Sequence, residues 1–203
     1  MLFRNPKILI FILVWINLFQ SALSRITFNP NRTVILIRHA EKPLTGNDLS
    51  ERGWLRAECI KELFTKNETI TPKRIYAQRA ASGKKEENLQ DSRRQIQTVG
   101  PLARALKQEI YNSFFAPEVK ELAHNISELD PSINPVLVSW NHEDMRKFLI
   151  YFGMDYRIAP EYPKNRYDLV WMYNEKNEFS FFSQNCTGLG DYRFTRYKYR
   201  DGL

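Results

Sequence analysis

Cysteine is scarce in this chain, with two residues in 203, and histidine occurs three times. Neither Cys59 nor Cys186 has a second cysteine or a histidine at ligand spacing, which argues against a zinc module. Two readings of the pair stay open. In an oxidising compartment they form one disulfide, tying an early helix to the C-terminal region; otherwise they are buried thiols packing as small hydrophobes. Long apolar runs are also missing. Residues 8–19 are apolar apart from Asn17, which falls short of the roughly 20 residues a spanning helix needs. Arg4 and Lys7 precede this run, and Ala22-Leu23-Ser24 comes after it with small residues where a signal peptidase cuts. Residues 1–24 are therefore expected to be a cleaved secretory signal, with an uncleaved signal anchor as the alternative. Repeats and low-complexity segments are absent.

The remainder, residues 25–203, is enough for one domain with a proper core. Loss of Arg4 and Lys7 takes the net charge from +7 to +5. A modest positive excess suits acidic substrates or anionic surfaces, although solvated surface lysines explain most of it. Four Asn-x-Ser/Thr sequons, at Asn31, Asn67, Asn125 and Asn185, point with the signal to a glycosylated product of the secretory pathway. Asn67, in a loop after a helix, is expected to be the most accessible.

The pattern along the chain alternates strands with helices. Residues 33–38 are apolar on both faces, as in a central parallel strand. A loop over 43–48 leads to a helix over 49–64, capped by Asp48 or Ser50, with Ala57, Cys59, Ile60, Leu63 and Phe64 on its core-facing arc. A strand over 74–78 and a polar loop over 79–91 come next. Residues 92–110 are helical in pattern, with Ser92 as a plausible cap, and Gly100-Pro101 is expected to kink or split them. A weak strand over 109–115, a helix over 117–126, a strand over 135–140 and a helix ending at Gly153 continue the alternation. Residues 168–173 and 178–183 bracket a turn and read as a hairpin at a sheet edge. The tail over 192–200, alternating aromatic and basic residues, is expected on the surface. The order predicts an α/β fold, a three-layer α/β/α sandwich with a mostly parallel central sheet.

Chemistry enters at Val34-Ile35-Leu36-Ile37-Arg38-His39-Ala40-Glu41-Lys42, where an apolar strand ends abruptly in an Arg-His pair. The carboxyl end of such a strand is where open α/β sheets bind ligands. Three further segments match in order: Leu49-Ser50-Glu51-Arg52-Gly53, Ser92-x-Arg94-x-x-Gln97-Thr98, and Val136-Leu137-Val138-Ser139-Trp140-Asn141-His142. Together they make the chain similar to the histidine phosphatase (phosphoglycerate-mutase-like) superfamily, over residues 34 to about 142.

The resemblance implies phosphoryl transfer through a histidine nucleophile, without metal or other cofactor. His39 would be that nucleophile, Arg38 and Arg94 the phosphate-binding arginines, and His142 the second histidine that steadies the transferred group. Arginine suits the task because its planar fork binds phosphate oxygens bidentately and stays charged. Glu143 is the chosen general acid, although an acidic residue in a first helical turn also meets the helix dipole favourably. The mutase branch places a glutamate earlier, where Glu118 and Glu121 stand.

Two features depart from the common pattern: Ala40 replaces the usual glycine, and residues 77–92 are longer than in mutases. Glu41 and Lys42 either line the mouth of the site or form a solvated ion pair. His124 fits no motif and is read as an exposed helix residue. The expected partner is a phosphorylated small-molecule substrate, with no nucleic acid and no membrane once the signal is removed. The expected activity is that of a secreted phosphomonoester phosphatase. A catalytically inactive phosphate-binding or interaction protein of the same fold is the alternative, and a secreted glycoprotein with accidental matches the third.

Overall fold

The computed structural model describes residues 31–80, 92–190 and 197–199. Residues 1–24, expected to be a signal, most of the 79–91 loop and the rest of the tail lie outside them. Among the described residues four helices flank one sheet: α1 (Glu51–Lys66), α2 (Arg94–Leu106), α3 (Val119–Ser127) and α4 (His142–Tyr151). The strands are β1 (Val34–Arg38), β2 (Arg74–Ala77), β3 (Ile110–Tyr111), β4 (Val136–Trp140), β5 (Leu169–Tyr173), β6 (Phe179–Ser183) and β7 (Tyr197–Tyr199). Their order is β3-β2-β4-β1-β5-β6-β7. From β3 to β1 every pairing is parallel, and β5, β6 and β7 extend the sheet antiparallel.

Strand alternation sorts the core into two halves. Leu36, Val136, Val138 and Trp140 meet α3 and α4 on one face, while Ile35, Ile37, Ile75 and Leu137 meet α1 and α2 on the other. This is the expected three-layer arrangement. Each fully buried aliphatic side chain contributes about 1.5–3 kcal/mol of transfer free energy, so β1 and β4, buried at every position, anchor the fold.

Of the two capping candidates for α1, Ser50 is the cap: its hydroxyl accepts the Gly53 N–H at 3.1 Å. Gly53 is required by close approach, since a Cβ there would sit 2.3 Å from the Glu41 carbonyl oxygen. The buried stripe of α1, Gly53, Arg56, Ala57, Ile60 and Phe64, includes a charge that the apolar pattern hid. Pro101 does not split α2, which runs through it as one helix. A proline there removes a single N–H from the ladder, and burial of Val99, Leu102 and Ala103 outweighs that loss. The helix stops before 110 because Lys107 turns left-handed (φ 52°), with Gln108 N–H donating to the Ala103 carbonyl at 2.9 Å. Ser92 is not its cap: Arg93 holds that position without a side-chain bond.

The β5–β6 hairpin turns at Asn177 (φ 59°). It is not the sheet's last element, because residues 197–199 of the tail add β7 outside β6. His124 is exposed, as read, and so are all four sequon asparagines, so exposure does not single out Asn67. Among the described residues no helix is long and apolar enough to cross a membrane.

Cys59 of α1 and Cys186, after β6, form a disulfide, which settles the two open readings of the cysteines. It closes a sequence separation of 127 residues, and cross-links of such span restrict the unfolded chain strongly. The Cys59→Ser/Cys186→Ser double variant is expected to lose about 3–5 kcal/mol of unfolding free energy in guanidinium titrations. A loss below about 1 kcal/mol would show that the link is energetically idle.

Candidate active site

Sheet topology brings the two histidines together. β1 and β4 are parallel neighbours with Arg38 opposite Trp140, so both chains leave the sheet at the same edge, about 4.8 Å apart. The His39 N–H still donates to the Trp140 carbonyl at 3.2 Å, and His142, two residues past Trp140, opens α4. Asn141 caps that helix, its side chain accepting the Glu143 N–H at 3.2 Å. α2 begins at Arg94 on the same side, which puts the second arginine beside the first histidine. Two helix N-termini and two guanidinium groups thus face one edge of the sheet, an arrangement that favours an anion.

The segment after β1 is fixed at each residue. His39 Nδ1 lies 2.7 Å from the Ala40 carbonyl oxygen and, having a carbonyl as partner, must be the protonated ring nitrogen. Nε2 then carries the lone pair. The Ala40 N–H donates to the Thr98 hydroxyl at 2.8 Å, and the Gln97 side chain accepts the Leu49 N–H at 2.9 Å. These two bonds give the Gln97-Thr98 motif a physical role: it ties α2 to the loop carrying the histidine. Glu41 neither lines a mouth nor forms a solvated pair. It is buried, with its carboxylate gripped by Arg56 at 2.8–3.0 Å and joined by Arg52 at 3.3 Å. Arg56 Nη1 continues to the Gln184 side chain at 2.9 Å, close to the disulfide. The expectation failed because sequence distance hid Arg56, a charged residue on a helix face that is otherwise apolar.

Electrostatics sets the protonation states. Burial pushes His39 down from its ordinary 6.5 to about 4, and the charges of Arg38, Arg94 and His142 push the same way against the Ala40 hydrogen bond. His142 is also lowered, chiefly by burial and then by Arg38, with Glu143 opposing. Both imidazoles are therefore neutral near pH 7. Arg38 and Arg94 are lowered by burial as well, yet guanidinium groups remain charged. Among the described residues the buried Arg38 Nε, Arg94 Nε, Ser92 Oγ and His142 Nδ1 have no hydrogen-bond partner. Unpaired buried donors are costly, and a ligand oxygen is the natural acceptor.

The sequence-derived set His39, His142, Arg38 and Arg94 thus forms one electrostatic neighbourhood. Glu143 belongs to it, exposed but acting on both His142 and Arg38. Asp144 is engaged instead with Lys147 at 2.8 Å. Glu118 accepts the Phe115 N–H at 2.7 Å, and neither it nor Glu121 is among the main charges acting on either histidine. Tyr167 escaped the sequence reading. Its ring lies 3.9 Å under the Arg38 guanidinium and edge-on to His39 at 6.0 Å, yet an isolated tyrosine before a strand carries no motif signal. Among the described residues no group of three His, Cys, Asp or Glu side chains is placed to hold a metal ion.

No protein-family model and no curated protein matches the sequence. Among solved structures the chain is similar to a suggested phosphohistidine phosphatase, SixA, from Agrobacterium tumefaciens, at 18% identity and TM-score 0.44, over 70% of this chain and 91% of that one. A mycobacterial glucosyl-3-phosphoglycerate phosphatase overlaps at 10% identity and TM-score 0.43, over 72% and 94%. Mycobacterial hydrolase 1 does so at 12% and 0.43, over 83% and 97%. Overlaps this distant say nothing about chemistry, and the likeness to the histidine phosphatase superfamily rests on Arg38-His39, Arg94 and His142 themselves.

Proposed function

We propose that this protein is a phosphatase-like hydrolase that acts on phosphomonoesters through a phosphohistidine at His39, without metal, after export directed by residues 1–24. The observation that carries the reading is the buried His39 ring, its Nδ1 held by the Ala40 carbonyl, beside two arginines whose buried Nε donors have no partner among the described residues. In the first step the Nε2 lone pair attacks phosphorus and the ester P–O bond breaks. The leaving oxygen takes a proton, supplied by Glu143. In the second step water attacks the phosphohistidine, the P–N bond breaks, and Glu143 takes the water proton. Arg38, Arg94 and His142 donate to the equatorial oxygens, where charge must be held for in-line transfer.

The test is rapid-quench trapping on the full chain with an aryl phosphate, run with and without EDTA. An acid-labile, base-stable phosphoryl group on His39 and turnover unchanged by EDTA are expected. Turnover without a trapped phosphohistidine in any quench window, or turnover lost to EDTA, would overturn the mechanism. The exposure of Glu143 favours one second reading, a phosphate-binding protein that does not turn over. In that case inorganic phosphate binds, Arg94→Ala weakens it, and nothing is trapped.

A further inference from the structure

We propose that Tyr167 is a positioning residue of this cleft, its ring holding the Arg38 guanidinium so that Nε–H stays available to a phosphoryl oxygen. The inference rests on the phosphoryl-cleft reading above. A buried cation needs compensation, and two other arginines here obtain it from carboxylates: Arg56 from Glu41 and Arg166 from Asp168. Arg32, fully buried, bonds among the described residues only the Asn31 side chain and the Leu129, Asp130 and Ile133 carbonyls. Arg38 likewise has no carboxylate partner among them but adds an aromatic face. It is 5% exposed, and among the described residues its partners are all neutral: the Lys164 carbonyl at 2.6 Å, the Arg166 carbonyl at 2.9 Å and the Tyr167 ring at 3.9 Å. A carboxylate in that place would cancel the charge that an anionic substrate needs. An aromatic face attracts the guanidinium without neutralising it.

The same ring stands edge-on to His39 at 6.0 Å, so one side chain touches two members of the cleft. Its backbone is held firmly. The Tyr167 carbonyl accepts the Gln184 side chain at 3.4 Å, and next to it Asp168 is pinned by Arg166 and by the Ser183 hydroxyl, each at 2.5 Å. A ring on such a support can fix the plane of Arg38.

Calorimetric titration of the full chain with inorganic phosphate tests this, using wild type, Tyr167→Leu, Tyr167→Phe, Arg38→Ala and the Arg38→Ala/Tyr167→Leu pair. Leucine keeps apolar volume without the π face and is expected to weaken phosphate about tenfold, with phenylalanine restoring affinity to within about threefold of wild type. In the Arg38→Ala background Tyr167→Leu should cost little more, because the ring has lost its partner. A general packing role predicts the opposite: lower melting temperature for Tyr167→Leu with phosphate affinity unchanged, or an equal loss with and without Arg38. Either result would overturn the proposal while leaving the cleft intact. Failure of wild type to bind phosphate would overturn the cleft reading itself.

Discussion

His39→Ala is expected to lower turnover of an aryl phosphate by at least about a thousandfold and to abolish phosphohistidine formation. The size of the effect comes from the division of labour in the site. Arg38, Arg94 and His142 can hold a phosphoryl group, while His39, with its proton on Nδ1, offers the Nε2 lone pair to attack it. Comparable activity in the variant would sink the assignment. Folding should survive the change, since alanine forfeits a single side-chain hydrogen bond, to the Ala40 carbonyl.

The same residue gives a pH signature. With a pKa of about 4, His39 remains about nine-tenths neutral at pH 5, where an ordinary histidine would be almost wholly protonated. The acid limb of kcat/KM is therefore expected not to fall on account of His39 until the pH nears 4. A fall centred near 6.5 would contradict that. Stability moves with a definite sign. Below about 6.5 the unfolded chain takes up a proton that the folded site refuses, so stability drops as pH falls from 6.5 to about 4, by roughly 3 kcal/mol. His39→Ala should lack this component, which urea titrations of both proteins at pH 7 and pH 4 would reveal.

A large structural effect is expected at Arg56. Arg56→Met should cost about 3–5 kcal/mol of unfolding free energy, because it leaves the Glu41 carboxylate buried with a weaker partner. Arg56 is 2% exposed and makes three contacts of 2.8–3.0 Å to that carboxylate, whereas Arg52 reaches it at 3.3 Å with its side chain half exposed. Adding Glu41→Gln should recover part of the loss, since no buried charge is then stranded. Glu41 lies two residues from His39, so turnover should fall as well and recover with stability in the double variant. A stability change below about 1 kcal/mol for Arg56→Met would show that Arg52 and solvent satisfy Glu41 without it.

Much of the site was readable before any coordinates because its elements write their signals locally. An apolar strand ending in Arg38-His39, a second ending in Asn141-His142 and a helix opening at Arg94 each announce themselves within a few residues. Parallel strands then deliver the residues at their carboxyl ends to one edge of the sheet. Ser50 and Gly153 could likewise be read as a cap and a stop from sequence position, since their partners lie within a turn or two. Other features had no such signal. Arg56 sits where periodicity demands an apolar residue, and its reason is Glu41, fifteen positions earlier. Tyr167 precedes β5 as an ordinary aromatic would. Pro101 is a helix breaker by local rule, overruled by burial on either side of it.

By itself, then, the sequence determined the alternation of strands and helices, the carboxyl ends of β1 and β4 and the residue types offered to an anion, since these depend on periodicity and neighbours along the chain. Tertiary structure alone decided that Cys59 meets Cys186, that Glu41 is buried against Arg56, which nitrogen of His39 bears the proton, and that Tyr167 lies under Arg38. Each is a contact between segments far apart in the chain or a choice between geometries of equal local cost, and only packing of the whole domain selects among them.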